Sequence, residues 1–377
     1  MTMLFKNALL FVDGQFRRLS FRVENGVFAA LYECTPDEPG VPLGGAPVIP
    51  GLVDIHIHGA AGEDFSDGAG LSRMASHLAR CGVTSFVPAA MTLPEERLAA
   101  AFQAAARFTA APEEGCARLL GVRMEGPFLS YARRGAQNAA YLHAPDAAML
   151  TRLRGAAQGL LRVVDIAPEL PGALPLIREA SAWGAVSLAH TDADYETACA
   201  ALDAGAAHLT HLFNAMPPLH HRAPGAIGAA SERESVTAEL ICDGLHVQPS
   251  AVRAAFRLFP GRVCLVSDAL RCCGMPEGEY ELGGQSVTLR GGAAYLPDGT
   301  LAGAASDLFT GLENALAFGI AREEAVLAAT LRPAQVVGAQ DCAGSIAVGR
   351  RADFVICDAA LHRRAVYLEG KQLCHNT

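Results

Sequence analysis

The sequence lacks the features of several protein classes. It contains no apolar run long enough to cross a membrane, and no Lys/Arg-rich tract that would bind nucleic acid or anionic lipid. Only 18% of its 377 residues are charged, and the formal net charge is -9. The amino-terminal stretch has no signal-peptide cleavage pattern, and the eleven cysteines follow no repeated spacing. We therefore expect a cytoplasmic protein with reduced thiols and without nucleic-acid or membrane partners.

Apolar residues and glycine are abundant instead. Hydrophobic residues make up 51% of the chain, and there are 38 glycines, which suits a large interior with tight loops. Between residues 48 and 338, strand-like and helix-like segments alternate, which predicts a parallel α/β sheet. Eight strand segments predict a (β/α)8 barrel of the TIM type, with its chemistry at the carboxyl ends of the strands. The predicted strands are 52–58, 84–89, 119–125, 161–167, 185–190, 208–214, 236–242 and 263–268.

The two ends of the chain have a different pattern. Residues 1–47 and 339–377 contain short β-rich runs separated by turn signals such as Asp13-Gly14. We expect these two segments to form one small β-sandwich domain together, and residues 48–338 to form the barrel domain. Turn pairs between residues 279 and 301 predict a β-hairpin excursion after the eighth strand, followed by a helix over 306–318.

Five of the eight predicted strands end at or next to a residue suited to metal or acid/base chemistry. In isolation, a strand histidine is more often structural, and an Asp after a strand is more often a helix cap. Together at the strand ends, however, imidazoles and carboxylates are the ligands of a hydrolytic divalent metal, which lowers the pKa of bound water. The residues are His56 and His58 on the first strand, then Glu125, His190, His211 and Asp268 on four others.

Several motifs around these residues resemble a known family. They are Pro-Gly-Leu-Val-Asp-Ile-His-Ile-His-Gly (50–59), Met-Glu-Gly-Pro (124–127), Thr-His-Leu-Phe-Asn-Ala-Met (210–216), Asp-Gly-Leu-His (243–246) and Ser-Asp-Ala (267–269). In this order the motifs resemble the amidohydrolase superfamily and, within it, the N-acetylglucosamine-6-phosphate deacetylases. The resemblance extends over nearly the whole chain.

The resemblance implies a reaction and a metal site. The reaction is metal-dependent hydrolysis of N-acetyl-D-glucosamine 6-phosphate to D-glucosamine 6-phosphate and acetate, in amino-sugar catabolism. Glu125, His190 and His211 would hold the principal metal, and Asp268 would accept a proton from water and deliver it to the departing amine. Some relatives lack the first-strand histidines and bind one metal, whereas this chain has both His56 and His58. We therefore expect one or two divalent ions (zinc, iron, manganese or cobalt), with Glu125 between them if there are two.

The resemblance also implies a site for an amino-sugar phosphate. Arg222 and His246 would hold the phosphate, and Arg222 would be contributed across the interface of a homodimer. Gln137 stands where some relatives have a histidine that polarises the carbonyl, so polarisation here would depend more on the metal. Ala304 stands where many relatives have a serine. The remaining residues that match the family's substrate-binding positions are Ala136, Asn214, Ala215, Asp243, Gly244, Leu245, Leu301, Ala302 and Gly303.

Three alternatives remain open at this stage. The same chemistry on N-acetylgalactosamine 6-phosphate would use the same motifs, because the two sugars differ in one hydroxyl. A cyclic amidohydrolase or deaminase of the superfamily would act on an unphosphorylated ring, although Arg222 and His246 argue against it. A non-catalytic sugar-phosphate-binding protein would not require Asp268 beside metal ligands.

Overall fold

A ring of parallel strands surrounded by helices makes up most of the protein. The computed structural model describes residues 2–373. The predicted (β/α)8 barrel is confirmed, because each of the eight predicted segments contains a strand and each strand from the first to the eighth pairs in parallel with the next. The barrel strands, in chain order, are Leu52–Ile57, Val83–Ala90, Val122–Met124 with the short piece Arg118–Leu119 before it, Leu161–Ile166, Ala185–Leu188, His208–Leu209, Thr237–Ile241 and Val263–Val266.

Backbone hydrogen bonds join the first and eighth barrel strands at their carboxyl ends. There the backbone N–H of Asp268 donates to the carbonyl of His56 at 2.9 Å, and the N–H of His58 donates to the carbonyl of Ala269 at 2.9 Å. These two bonds join the end of the eighth strand to the end of the first. The seam of the barrel is therefore closed beside the predicted site residues.

Amphipathic helices cover the outside of the barrel. The first helix, for example, buries Leu71, Met74, Ala75 and Leu78, which recur at the helical spacing and face the strands. Three helices begin after an aspartate whose side chain accepts a backbone N–H of the first turn: Asp146, Asp194 and Asp307. The helices are Leu71–Arg80, Glu95–Ala110, Ala147–Ala156, Ala173–Ser181, Tyr195–Asp203, Gly225–Ser231, Pro249–Leu258, Leu308–Ala317, Arg322–Ala329 and Leu331–Val336, with short 3-10 turns at Phe65–Asp67, Tyr131–Arg133 and Ala139–Tyr141.

Strands from both ends of the chain form one eight-stranded sheet, as expected. Its core is aromatic: Phe5 stacks on Phe21 with ring centroids 4.7 Å apart, and Phe354 stacks on Tyr367 at 4.5 Å. The division of the chain into domains at residues 47 and 338 stays a prediction, and Met1 and residues 374–377 of the predicted terminal segments lie outside the described residues. The strands are Thr2–Val12, Gln15–Glu24, Val27–Tyr32, Val41–Pro42, Pro47–Pro50, Phe354–Cys357, Arg363–Leu368 and Lys371–Gln372.

The excursion after the eighth barrel strand is larger than one hairpin. It is a four-stranded antiparallel sheet, and the predicted helix follows it as Leu308–Ala317. The two helices after that were not predicted, because Thr330 separates them and Pro333 lies within the second, so the helical pattern is interrupted twice. Within residues 2–373, no helix has the length and hydropathy needed to span a bilayer. The four strands are Gly278–Leu282, Gln285–Arg290, Ala293–Tyr295 and Leu301–Ala304, and a separate two-stranded ribbon is formed by Gly59–Ala60 and Glu63–Asp64.

Candidate active site

Three of the predicted site residues lie just beyond the ends of their strands. His190, His211 and Asp268 each follow the last strand residue by two positions, and their φ angles are +43°, +29° and +50°. The left-handed region is unfavourable for residues with a side chain, and such strain accumulates at functional sites. These turns also explain why the sixth strand ends at Leu209 rather than at the predicted Asn214.

One carboxylate lies at the centre of the cluster. The Oε1 atom of Glu125 is 3.1 Å from Nε2 of His190 and 3.2 Å from Nε2 of His211. The same oxygen is 3.4 Å from Nε2 of His56, and Oε2 is 3.0 Å from Nε2 of His58. Glu125 is 2% exposed, so four imidazoles from three other strands converge on one buried carboxylate.

The arrangement of the nitrogens fits a divalent cation. The Nε2 atoms of His190 and His211 face each other at 3.1 Å, where two lone pairs would repel unless a proton or a metal ion lies between them. Nε2 of His56 is buried and has no hydrogen-bond partner among the described residues. Two groups of three could hold a metal, and Glu125 belongs to both. The groups are His56, His58 and Glu125, and Glu125, His190 and His211.

Asp268 also lies close to the two first-strand histidines. Its Oδ1 atom is 3.2 Å from Nε2 of His58 and 3.5 Å from Nε2 of His56. Burial raises the pKa of Asp268, but the charge of His56 and the hydrogen bond with His58 outweigh this effect and lower the pKa below its ordinary value. Asp268 is therefore ionised at neutral pH and can accept a proton.

The nearby carboxylates also raise the pKa values of the two first-strand histidines. Burial lowers the pKa of His58, but the charge of Glu125 and the hydrogen bond with Asp268 raise it to about 10. The pKa of His56 is also raised well above its ordinary value: burial and the charge of Arg123 lower it, and the nearby carboxylates more than compensate. The carboxylates of the site therefore stabilise positive charge, in the form of bound protons or of bound metal ions.

A buried polar network lies beneath these residues, inside the barrel, and was not predicted. Arg123 is fully buried and donates to Asp165 at 2.6 and 2.8 Å and to Glu239. His208 contacts the same Glu239 through Nε2 at 3.0 Å. A charged residue in the middle of an apolar strand, as in Thr-Ala-Glu-Leu-Ile (237–241), is the signal that could have identified these residues.

A cavity of about 280 Å³ opens above the cluster. It is large enough for a small ligand, and its floor is formed by His58, Glu125, His190, His211 and Asp268. Seven of the predicted substrate-binding residues line it: Ala136, Gln137, Asn214, Ala215, His246, Leu301 and Ala302. Met91, Gly135 and Thr300 line it too and were not predicted.

Five predicted substrate-binding residues do not line this cavity, and one of them is Arg222. It is exposed, contacts His221, and lines a separate surface depression with Asp192 and Asp194. In this chain, therefore, Arg222 is not among the residues of the cavity. The other four that do not line the cavity are Asp243, Gly244, Leu245 and Gly303.

Two of these residues support their neighbours. Asp243 holds the ring of His246 through a hydrogen bond of 2.6 Å from Nδ1. A side chain on Gly303 would meet the carbonyl oxygen of Asp268 at 3.0 Å, so the glycine permits this close approach. The next residue, Ala304, donates its backbone N–H to that carbonyl at 2.9 Å, a bond that does not require the serine hydroxyl of other family members.

Gln137 is held firmly against the central carboxylate. Its Nε2 donates to Oε2 of Glu125 at 2.9 Å, and its Oε1 accepts the backbone N–H of Thr92 at 2.8 Å. The second bond fixes the orientation of the amide, because only the oxygen can accept. Gln137 thus directs its NH2 group to Glu125 and, at 3.7 Å, to the sulfur of Met91, which also lines the cavity.

Comparisons with known proteins identify the family of this chain. Residues 48–373 match the model of the amidohydrolase family. The N-acetylglucosamine-6-phosphate deacetylase of Bacillus subtilis is 39% identical over 82% of this chain and 80% of the relative. The N-acetylgalactosamine-6-phosphate deacetylase of Escherichia coli O157:H7 is 35% identical over 96% of this chain and 97% of the relative. A solved structure of a mutant N-acetyl-D-glucosamine-6-phosphate deacetylase from Mycobacterium smegmatis, in complex with N-acetyl-D-glucosamine-6-phosphate, superposes with a TM-score of 0.92 at 32% identity, covering 98% of this chain and 99% of the other.

Proposed function

Because the chain belongs to the amidohydrolase family, we propose that it is a metal-dependent deacetylase that converts N-acetyl-D-glucosamine 6-phosphate and water to D-glucosamine 6-phosphate and acetate. The observation that carries this proposal is the convergence of four imidazoles on Glu125 beside an ionised Asp268, at the floor of a cavity. Relatives at 35–39% identity with the same reaction in their names support the choice of substrate. The reaction belongs to amino-sugar catabolism.

The metal would be held by Glu125, His190 and His211, and a second ion by His56, His58 and Glu125. A divalent cation at this position would lower the pKa of water and polarise the acetamide carbonyl. Charge supports two ions more than one: among the described residues, the only arginine or lysine paired with the buried carboxylates of Glu125, Asp165, Glu239 and Asp268 is Arg123, which contacts Asp165 and Glu239. Zinc, iron, manganese and cobalt all accept this ligand set.

Asp268 would carry the protons of the reaction. It accepts a proton from the attacking water and later delivers it to the nitrogen, because an amine leaves poorly unless it is protonated. Its lowered pKa favours the first transfer by keeping the carboxylate ionised at neutral pH. Gln137 can donate one amide hydrogen to the acetyl oxygen while the other stays on Glu125 at 2.9 Å.

The phosphate would be bound at the rim of the cavity. His246 lines the cavity and is oriented by Asp243, and Asn214 and Ala215 lie beside it. Arg222 is exposed outside this cavity, which supports its contribution to the site of a neighbouring subunit in a homodimer. We place the enzyme in the cytoplasm, and the ten described cysteines, all free, are consistent with this location.

The galacto epimer is the second candidate substrate. The Escherichia coli relative named for it covers 96% of this chain at 35% identity. The two substrates differ only in the orientation of one hydroxyl, which none of the residues above distinguishes. The ratio of kcat/KM for the two epimers decides between them.

The test is acetate release by the purified protein with and without added divalent metal. We expect metal-dependent release that requires the 6-phosphate and is faster with the gluco epimer. Glu125→Gln should abolish release, whereas Glu95→Gln, the same substitution at a surface ion pair with Arg152, should not change it. Equal rates on the unphosphorylated sugar would contradict the phosphate site, and no release from any of these substrates would refute the proposal.

A further inference from the structure

The four imidazoles of the candidate metal site differ in the hydrogen-bond partner of their Nδ1 atoms. His58 donates from Nδ1 to the carbonyl of Ala89 at 3.0 Å, and His190 donates from Nδ1 to the carbonyl of Arg133 at 2.9 Å. The Nδ1 of His211 has no partner among the described residues. Among the described residues, His56 is the only one of the four whose Nδ1 has a charged partner. This partner is Oε2 of Glu239, at 2.8 Å.

Glu239 lies in the middle of the seventh barrel strand and is fully buried. Its two oxygens have different neighbours. Oε1 is contacted by Arg123 and, at 3.0 Å, by Nε2 of His208. Oε2 accepts from Nδ1 of His56 and, at 3.2 Å, from the backbone N–H of His211.

The Oε2 contacts have two consequences for the site. A carboxylate can only accept, so Nδ1 of His56 must carry a hydrogen, and Nε2, which is 3.4 Å from Oε1 of Glu125, is the nitrogen left to bind a metal. The bond to the backbone of His211 stabilises a residue whose φ is +29°. A single oxygen of Glu239 therefore supports one member of each group of candidate ligands.

We propose that Glu239 is a positioning residue that fixes the tautomer of His56 and the backbone turn at His211, and thereby aligns both groups for metal. The inference rests on the proposed metal site. It does not make Glu239 a ligand or a proton carrier, because its oxygens are already occupied by four donors. Its role is to raise the basicity of the His56 imidazole and to restrict the conformations of the His56 side chain and the His211 backbone.

Asp165 provides a matched control. It is also fully buried and also pairs with Arg123, at 2.6 and 2.8 Å, but it contacts none of the four histidines. Glu239→Gln and Asp165→Asn each replace a buried carboxylate of the same arginine by an amide of equal size. A loss caused by weakening the ion pair appears in both variants, whereas a loss caused by the imidazole contact appears only in Glu239→Gln.

The measurement is zinc affinity, determined by competition of the metal-free proteins with a chromophoric chelator. Second partners of metal-bound histidines contribute about 10- to 100-fold to affinity, so we expect a loss of this size in Glu239→Gln and less than about threefold in Asp165→Asn. A Glu239→Gln affinity within threefold of wild type, or equal losses in both variants, would overturn the inference. If the wild-type protein itself binds no zinc, the proposed metal site is wrong instead.

A second measurement keeps the inference testable if Glu239→Gln does not fold. In the zinc-loaded wild-type protein labelled with ¹⁵N-histidine, the ring proton of His56 should reside on Nδ1. The signal is assigned by its absence in His56→Asn. A ring proton on Nε2 of His56 would contradict the role of Glu239 directly.

Discussion

Replacing Asp268 by Asn tests the proton-transfer step of the proposed reaction. The two side chains have the same shape, so the contacts of Oδ1 at 3.2 Å from His58 and 3.5 Å from His56 can persist. An amide, however, cannot accept the proton of water or return it to the amine. The substitution therefore removes the proton carrier and leaves the rest of the site in place.

The expected magnitude follows from the role and the environment of Asp268. A positioned general acid or base contributes about 10²- to 10⁴-fold to a rate. Because Asp268 is buried, with 8% of its surface exposed, solvent water cannot readily replace it, and we expect the upper part of this range. A 10⁴-fold loss of kcat corresponds to about 5 kcal/mol of activation free energy.

The assay combines acetate release with metal analysis. Asp268→Asn should lower kcat with little change in metal content. Asp64→Asn is the matched control, because Asp64 is equally buried near the first strand but lies outside the cavity lining. A kcat within about fivefold of wild type would remove Asp268 from the mechanism, and a parallel loss of metal would make it a ligand rather than a proton carrier.

Two further predictions concern the phosphate and the metal. Arg222→Ala should raise KM for the phosphorylated sugar about 10- to 100-fold, since a hydrogen bond to a charged group contributes about 1.5–3 kcal/mol. Arg152→Ala, which breaks a surface ion pair with Glu95, should leave KM unchanged. An unchanged KM in Arg222→Ala would contradict the phosphate assignment. The affinity for the ion held by His56 and His58 should rise by at least about tenfold per pH unit between pH 6 and 8, because the pKa of His58 is raised to about 10, that of His56 is raised as well, and their protons must be displaced. A pH-independent affinity, measured with the same chelator competition, would show that the metal-free site holds no proton.

The barrel could be predicted from the sequence because its strands and helices have distinct patterns. The strand Leu161–Ile166 is apolar at four of its six positions, the exceptions being Arg162 and Asp165. The helix Leu71–Arg80 buries residues at the helical spacing. Local patterns of this kind do not depend on distant residues. The two final helices were missed because they are short and separated by a single residue, Thr330.

The residues at the strand ends of the site could be predicted from the sequence, but those in the middle of strands could not. Parallel strands bring their carboxyl ends to one edge, so residues at strand ends, such as His190 and Asp268, could be assigned to a common cluster without knowledge of their distances. Glu239 and Asp165 were missed because they lie in the middle of strands, where only the folded barrel shows that they face Arg123. The exposed position of Arg222 outside the cavity of its own chain is consistent with the expected contribution across a homodimer interface, which stays a prediction.

The left-handed turns at His190, His211 and Asp268 link the stability of the barrel to its chemistry. Each such residue costs about 1–2 kcal/mol relative to an ordinary conformation, and a glycine would avoid that cost but supply no ligand. Hydrogen bonds offset the strain: Ser130 donates to the carbonyl of His190 at 2.9 Å, and the N–H of Asp268 donates to the carbonyl of His56 at 2.9 Å. The same bond from Asp268 closes the barrel between its first and eighth strands. The turn that carries the proposed proton carrier is therefore also the seam of the barrel, which explains why the site can hold strained residues without losing its geometry.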